Sequence, residues 1–270
     1  MERQMISSRQ NPLVKFVCGL ADKKQRNREG LFRFDGVKLL REAILSGIDV
    51  KYIVYRTPAT GAVEELIAEA ESTRDVKAIA VSESVFEKIS EERSPEGVIT
   101  VARMPDIHKS RREYAIGRSE RLLIAESLRD PGNLGTVIRS CYALGIDTLV
   151  ITDDCADLYN QRTVRAAMGA LFRQRTVSVP AAELGELIAE LRSEGRRVYA
   201  TALSPSSVDI GDAPICEGDC FVIGNEGHGL TSATVEACTA SVIIPMREDA
   251  ESLNAAAAAA ICIWETVKAR

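Results

Sequence analysis

Residues 221–230 read Phe-Val-Ile-Gly-Asn-Glu-Gly-His-Gly-Leu, an apolar run followed by a loop with three glycines in six residues. The apolar part predicts a buried strand, and the glycines let the backbone pass close to a ligand. No Gly-Lys-Ser/Thr follows, and the spacing differs from the dinucleotide pattern Gly-x-Gly-x-x-Gly. We therefore predict a ligand loop of another kind, in which His228 is a polar loop residue rather than a general base.

Two further polar segments also follow predicted strands. Residues 130–139 read Asp-Pro-Gly-Asn-Leu-Gly-Thr-Val-Ile-Arg and open a predicted helix, which Asn133 can cap through its side-chain oxygen. Residues 243–254 end in Ser-Leu-Asn before an alanine run, and Ser252 can cap the final helix with Asn254 in its first turn. Because open α/β sheets bind ligands at the carboxyl ends of their strands, we expect the three segments to form one site.

The second half of the chain alternates between short apolar runs and amphipathic stretches. The predicted strands cover residues 122–125, 148–151, 175–179, 198–202, 220–224 and 241–244. The predicted helices cover residues 133–144, 181–193 and 252–268. Strands that are continuously apolar are typical of parallel sheets covered on both faces, so this half is predicted to be a doubly wound α/β domain.

The first half predicts a smaller α/β domain. Its predicted strands cover residues 50–55, 77–81 and 97–102. Its predicted helices cover residues 4–20, a stretch around 37–44, residues 62–70, and a short segment after Ser82. A polar, basic stretch with Pro105 separates the two halves and is interpreted as a linker. The predicted division is residues 1–105, a linker at 106–119, and residues 120–270.

Composition narrows the class of protein. No stretch is apolar for the roughly 20 residues that a membrane helix needs, and the first residues do not resemble a secretory signal, so we expect a cytoplasmic protein with no membrane partner. The seven cysteines are scattered, without a Cys-x-x-Cys pair. A zinc site from Cys216, Cys220, His228 and Cys238 matches no common spacing, so free thiols and no metal are predicted.

The charge distribution is uneven. The net charge of −5 argues against a nucleic-acid partner. However, residues 1–41 hold ten Lys or Arg against four Asp or Glu, and residues 160–175 hold four Arg and no acid. Basic faces on an acidic protein can still bind phosphates, although solvated helix faces explain the same pattern.

Taken together, residues 120–268 resemble the SpoU/TrmH branch of the SPOUT class of RNA methyltransferases. The resemblance rests on four segments. They are Asn133, Gly135 and Arg139; residues 222–230; residues 244–246 with 252–254 and the alanine-rich helix; and residues 164–172. The N-terminal part is similar, more loosely, to the small RNA-binding domain of several ribosomal-RNA enzymes.

The resemblance implies a function. It implies transfer of a methyl group from S-adenosylmethionine to a ribose 2′-hydroxyl, with large-subunit (23S) ribosomal RNA as the expected substrate. It also implies a C-terminal trefoil knot and a homodimer whose active sites are completed across the interface. The implied catalytic residues are Asn133, Arg139, Glu226, Ser252 and Asn254. The implied cofactor-binding residues are Gly224, Ile244 and Leu253.

Some points remain open at this stage. Arginine stays protonated in water, so we favour Arg139 as a stabiliser of the alkoxide, with a general-base role left open. Asn225 stands where small residues are common in the family, and residues 247–251 are more charged than usual. A non-catalytic RNA-binding or ribosome-assembly protein is the main alternative, and a nicotinamide enzyme lacks its fingerprint. We expect RNA phosphates to contact Lys23, Lys24, Arg26 and Arg28.

Overall fold

Two β-sheets organise the chain, each within its own compact unit. The computed structural model describes residues 5–73, 75–92, 94–204, 206–247 and 249–268. Unit 1 consists of Met1–Pro105 and Tyr159–Phe172, and unit 2 of Asp106–Leu158 and Arg173–Arg270.

Unit 1 contains a four-stranded mixed sheet. Its strands are β1 (Leu31–Asp35), β2 (Val50–Arg56), β3 (Lys77–Val81) and β4 (Val98–Arg103), in the order β1-β4-β2-β3. Its helices are α1 (Pro12–Gly19), α2 (Lys23–Glu29), α3 (Val37–Leu45), α4 (Gly61–Thr73), α5 (Glu83–Ile89) and α7 (Gln161–Ala167). β4 runs antiparallel to β1 and β2, whereas β2 and β3 are parallel. Val17, Val54 and Phe86 lie in the core between the sheet and helices α1 and α5.

Unit 2 contains an eight-stranded sheet in which every pairing is parallel. The strands are β5 (His108–Ser110), β6 (Leu122–Ala125), β7 (Thr148–Thr152), β8 (Arg175–Val179), β9 (Val198–Thr201), β10 (Val208–Asp209), β11 (Cys220–Ile223) and β12 (Ala240–Ile243). Their order is β10-β12-β9-β11-β6-β7-β8-β5. The helices are α6 (Pro131–Leu144), α8 (Leu184–Ser193), α9 (Ser232–Ala237) and α10 (Ala255–Lys268). This is the predicted α/β architecture; the implied knot stays a prediction.

The segment Tyr159–Phe172 leaves the sheet of unit 2 between β7 and β8 and folds with unit 1. It contains α7 and a short 3₁₀ helix, Met168–Phe172. Phe172 lies 5.3 Å from Phe34 between ring centroids, Tyr159 lies 4.8 Å from Phe32, and Arg165 pairs with Glu92. Burial of these rings explains why the segment belongs with unit 1.

The sequence prediction was closest for short strands with an apolar core: strands at 122–125 and 175–179 are confirmed at the same residues. It differed elsewhere. The first helix begins at Pro12, with Asn11 as its cap, rather than at residue 4, which lies outside the described residues. The predicted linker at 106–119 contributes β5 to the sheet. Helix α2 was missed because all seven of its residues are polar or charged, so it shows no apolar periodicity.

Candidate active site

The parallel arrangement brings five loops to one edge of the eight-stranded sheet. Strands β12, β9, β11, β6 and β7 are consecutive neighbours and point the same way. Their carboxyl ends therefore share one edge, where open α/β sheets bind ligands. All predicted site residues lie in the segments that follow β6, β11 and β12.

The turn after β6 is built on Asp130, not on Asn133 as predicted. Asp130 has extended backbone angles, and its Oδ1 accepts a hydrogen bond from the N–H of Asn133 at 2.9 Å. Pro131 follows at the first helical position, where its missing N–H costs nothing. Helix α6 thus begins two residues earlier than expected. The correction matters because it leaves the side-chain amide of Asn133 available for other contacts.

The Glu226 carboxylate joins the loop after β11 to this turn. It accepts hydrogen bonds from the N–H groups of Arg129 (3.2 Å) and Asp130 (3.0 Å) and from Nδ2 of Asn133 (3.1 Å). Burial raises the pKa of Glu226, but these bonds and one from its own backbone outweigh it and hold that pKa below its ordinary value. Glu226 is therefore an ionised acceptor at neutral pH and a poor general base.

Asn254 extends the same chain of hydrogen bonds. Its Nδ2 donates to Oδ1 of Asn133 at 2.8 Å. Its Oδ1 accepts from the N–H groups of Ala256 and Ala257 at 2.9 and 3.2 Å, so Asn254 caps α10. The prediction that Ser252 caps this helix was wrong, because α10 begins at Ala255. Glu226, Asn133 and Asn254 thus form one continuous network.

Gly224 is required by a close backbone approach. A Cβ atom there would lie 2.4 Å from the carbonyl carbon of Gly229 and 2.5 Å from the nitrogen of Leu230. The loop closes on itself through two hydrogen bonds of 3.0 Å between the backbones of Asn225 and Gly229, and Gly229 has a φ of +68°. The glycine spacing therefore builds a tight loop directly at the end of β11.

The other predicted residues lie in the same segments but outside the network. Arg139, one and a half turns beyond Asn133 on α6, is exposed, and Ser252 is exposed before α10. Neither side chain makes a hydrogen bond or ion pair among the residues that the structure describes. Ile244 directly follows β12 and is half-buried, and Leu253 is 40% exposed.

A cleft of about 400 Å³ lies beside the Gly224 loop and includes residues that sequence reasoning missed. One wall is Thr201–Ser204, at the carboxyl end of β9, and the facing walls include His228–Leu230 and the start of α9. Leu203 is 90% exposed there. The available signal was the position of this loop after a parallel strand next to β11, which could not be read without the strand order.

Buried Glu126 was also missed. Its carboxylate accepts hydrogen bonds from the N–H and Oγ1 of Thr231, at 3.0 and 2.8 Å, and from Oγ1 of Thr234 at 2.8 Å. Glu126 therefore fixes the start of α9, one wall of the cleft. An acid directly after a buried strand was the signal that could have identified it.

In unit 1, the predicted phosphate contacts divide into two kinds. Lys23, Lys24 and Arg28 are exposed on α2, although Arg28 pairs with Glu29. Arg26 is only 5% exposed and donates to the carbonyl oxygens of Leu20 and Ala21. The prediction that Arg26 contacts RNA is therefore wrong: its charge is used to tie α2 to the end of α1.

Two kinds of feature are absent from the described part of the chain. Among those residues, no group of three or more His, Cys, Asp or Glu is arranged to hold a metal ion. None of the helices described is long and apolar enough to cross a bilayer. All seven cysteines are free thiols.

Comparison with known proteins gives one family match in each half of the chain. Residues 120–264 match the model of the SpoU rRNA Methylase family, and residues 11–100 match an MRM3-like substrate binding domain. The 23S rRNA (guanosine(2553)-2'-O)-methyltransferase RlmP of Bacillus subtilis is 31% identical over 97% of this chain and 98% of its own length.

Solved structures extend the similarity to the whole fold. An AdoMet-bound rRNA methyltransferase from Sinorhizobium meliloti superposes with a TM-score of 0.84 at 28% identity, covering 99% of this chain and 98% of that one. The SpoU methyltransferase AviRb from Streptomyces viridochromogenes, in complex with AdoMet, superposes with a TM-score of 0.82 at 27% identity, covering 96% and 98%.

Proposed function

We propose, from the premise that this chain belongs to the SpoU rRNA Methylase family and is an S-adenosylmethionine-dependent RNA ribose 2′-O-methyltransferase, that it methylates large-subunit (23S) ribosomal RNA in the cytoplasm. The choice of 23S RNA is supported by the relatives from Bacillus subtilis and Streptomyces viridochromogenes, whose names specify 23S rRNA 2′-O-methylation. The observation that carries the proposal is the network of Glu226, Asn133 and Asn254 at the sheet edge.

The chain fits the cofactor at the Gly224 loop. Only a glycine avoids the backbone of Gly229 and Leu230 there, so the loop closes tightly at the end of β11, beside the cleft of about 400 Å³. We assign cofactor contacts to Gly224, Ile244 and Leu253, chiefly through backbone groups, with Thr201 and the loop after β9 as a further wall. S-adenosylmethionine supplies an electrophilic methyl group on a sulfonium.

The chain's own residues would act on the ribose. A neutral hydroxyl is a poor nucleophile, so its developing negative charge must be stabilised. Arg139 is assigned this task, because its exposed guanidinium carries no partner among the described residues and stays charged. Glu226 is assigned to hold Asn133 and Asn254, and with them the ribose; Ser252 is assigned a hydrogen bond to Arg139 or the ribose.

A homodimer is part of the proposal. Helices α6 and α10 pack against each other, and Ala256, Ala259 and Ile263 face the chain's own interior. Elsewhere on these two helices Tyr142 is 47% exposed and Trp264 is 54% exposed, and a second copy of the chain would bury this aromatic surface. We assign this surface to the second copy, with each active site completed across it. Trp264→Glu should convert a dimer to a monomer in light scattering.

The decisive experiment uses the purified protein, S-adenosylmethionine and 23S rRNA from a strain deleted for its gene. One new ribose methylation is expected, at the position that is unmethylated in the deletion strain, when 2′-O-methyl sites are mapped by alkaline cleavage. Binding of the RNA without transfer would instead identify a non-catalytic RNA-binding protein. Transfer to a base rather than a ribose would contradict the assigned chemistry.

A further inference from the structure

Ser127, two residues after β6, has a backbone conformation that requires support. Its φ is +54°, in the left-handed region that side chains other than glycine rarely adopt. Ser127 is one residue beyond Glu126 and two residues before Arg129, whose N–H binds Glu226. The direction in which the chain enters the active-site turn is therefore set at a strained position.

Two neighbouring segments, the end of β7 with the loop after it and the loop after β11, hold Ser127 by each of its polar groups. Its N–H donates to Oγ1 of Thr152 at 2.7 Å, and its Oγ donates to Oδ2 of Asp154 at 2.6 Å. Its carbonyl oxygen accepts from Nδ2 of Asn225 at 2.8 Å. Thr152 is fully buried and also donates to Asp154, so the two residues that hold Ser127 from the β7 side are bonded to each other.

Asn225 is the contact from the other side, and it is itself fixed. Its Oδ1 accepts from the N–H groups of Gly227 and His228 at 2.8 and 3.2 Å. The next residue, Glu226, binds the N–H groups of Arg129 and Asp130. Two consecutive side chains of one loop thus bind two parts of the other loop, the Ser127 carbonyl and the Arg129–Asp130 amides.

From this arrangement we propose that Asn225 is a positioning residue for methyl transfer, whose hydrogen bond to the Ser127 carbonyl sets the location of the Glu226 carboxylate. The inference rests on the proposed role of the Glu226 network. The proposal explains why residue 225 is an asparagine in this chain, at a position where small residues are common in the family. Ser127 has a side chain and a positive φ, and a small residue at 225 would not reach its carbonyl oxygen.

The test compares Asn225→Ala and Asn225→Asp in the full-length protein. The aspartate keeps the oxygen that accepts from Gly227 and His228 but cannot donate to Ser127. Both variants should lower kcat by about 10- to 100-fold, as expected for a small misplacement of a reacting group. The KM for RNA and the stoichiometry of S-adenosylmethionine binding should stay near wild type. Ser193→Ala, which loses an exposed hydroxyl bond to Glu190 on α8, is the matched control.

A role through Glu226 predicts non-additivity. In a Glu226→Ala background, adding Asn225→Ala should change kcat by less than about threefold. A wild-type kcat for Asn225→Asp would overturn the inference, and so would a full additional loss in the double variant. If Glu226→Ala itself keeps wild-type kcat, the proposed active site fails; if it loses activity while Asn225→Ala does not, only the role of Asn225 fails.

Discussion

The two regions proposed to bind substrate in this chain differ in how completely their polar groups are bonded within the protein. At the sheet edge of unit 2, Glu226, Asn133 and Asn254 bond to one another or to backbone amides. On α2 of unit 1, the side chains of Lys23 and Lys24 are exposed and bond to no other described residue. Chemistry on a ribose requires groups fixed in advance, whereas phosphates along an RNA can be held by mobile charges.

Arg139 is the exception within unit 2, and its loss should have the largest effect. Arg139→Ala is expected to lower kcat by about 10²- to 10³-fold, because the donor assigned to the developing negative charge is removed. S-adenosylmethionine affinity, measured by calorimetry, should stay within about twofold, since Arg139 lies outside the assigned cofactor loops. Arg139→Lys keeps the charge and is the control; turnover near wild type in the alanine variant would contradict the assignment.

The substitution Gly224→Ala tests whether the hydrogen-bonded region at the sheet edge of unit 2 tolerates an added methyl group. The added Cβ meets backbone atoms at 2.4–2.6 Å, so the loop must move. We expect S-adenosylmethionine affinity to fall by about 10- to 100-fold and the unfolding free energy to fall by about 1–3 kcal/mol. Gly185→Ala on α8, where a Cβ would meet nothing within 4 Å, is the control. Equal cofactor affinity in the two variants would show that the loop is not preorganised.

RNA binding by the basic residues of helix α2 should depend on salt concentration and not on an exact side-chain geometry. Replacing Lys23, Lys24 and Arg28 with alanine should lower the slope of log affinity against log salt by about one unit for each phosphate that the variant no longer binds. RNA binding should weaken most at low salt, while kcat at saturating RNA survives. Filter binding across a salt series measures this. Lys77→Ala, an exposed lysine on β3, is the control, and Arg26 is left in place because it is structural.

A smaller effect is expected at Asp35, on the last position of β1. Burial raises its pKa from 3.8 to about 6, despite a hydrogen bond from Ser90 and the nearby charge of Arg33. Because the folded pKa lies above the unfolded one, stability falls as pH rises from about 4 to about 6. The full shift corresponds to roughly 3 kcal/mol, of which roughly half develops above pH 5.

Asp35→Asn should therefore remove about 1 kcal/mol of the pH dependence of unfolding between pH 5 and pH 7.5. Urea unfolding followed by circular dichroism at the two pH values measures it. Asp75→Asn, at an exposed position of the same unit, is the control. An unchanged pH dependence in the Asp35 variant would show that this carboxyl is ionised in the folded protein across the whole range.

Sequence reasoning performed best where a local pattern determines structure. Six of the eight strands of unit 2 are short, mostly apolar runs, and their ends were predicted to within one residue. Strands β5 and β10, which are short and largely polar, were not predicted. It performed worst where several residues compete for one role. Asp130, not Asn133, caps α6, and Asn254, not Ser252, caps α10. The capping residue is determined by the residue at which each helix starts.

Contacts that depend on the tertiary fold could not be predicted from local patterns. The burial of Arg26 against two carbonyl groups cannot be read from a run of basic residues. Likewise, the Ser127–Asn225 bond joins residues that are 98 positions apart in the chain. It supports a positive φ at Ser127, which the presence of a serine does not indicate. The family resemblance predicted which residues belong to the site. It did not predict which of them form hydrogen bonds with one another.

The path of the chain also limits how this protein can be taken apart. The polypeptide passes between the units three times, at residues 105–106, 158–159 and 172–173. A fragment ending at Pro105 would lack Tyr159 and Phe172, the rings that pack on Phe32 and Phe34, and would lose the partner of Glu92. Unit 1 is therefore not encoded by one continuous stretch of sequence. A single recombination crossover could not exchange it between relatives, and a graft must carry both pieces of chain.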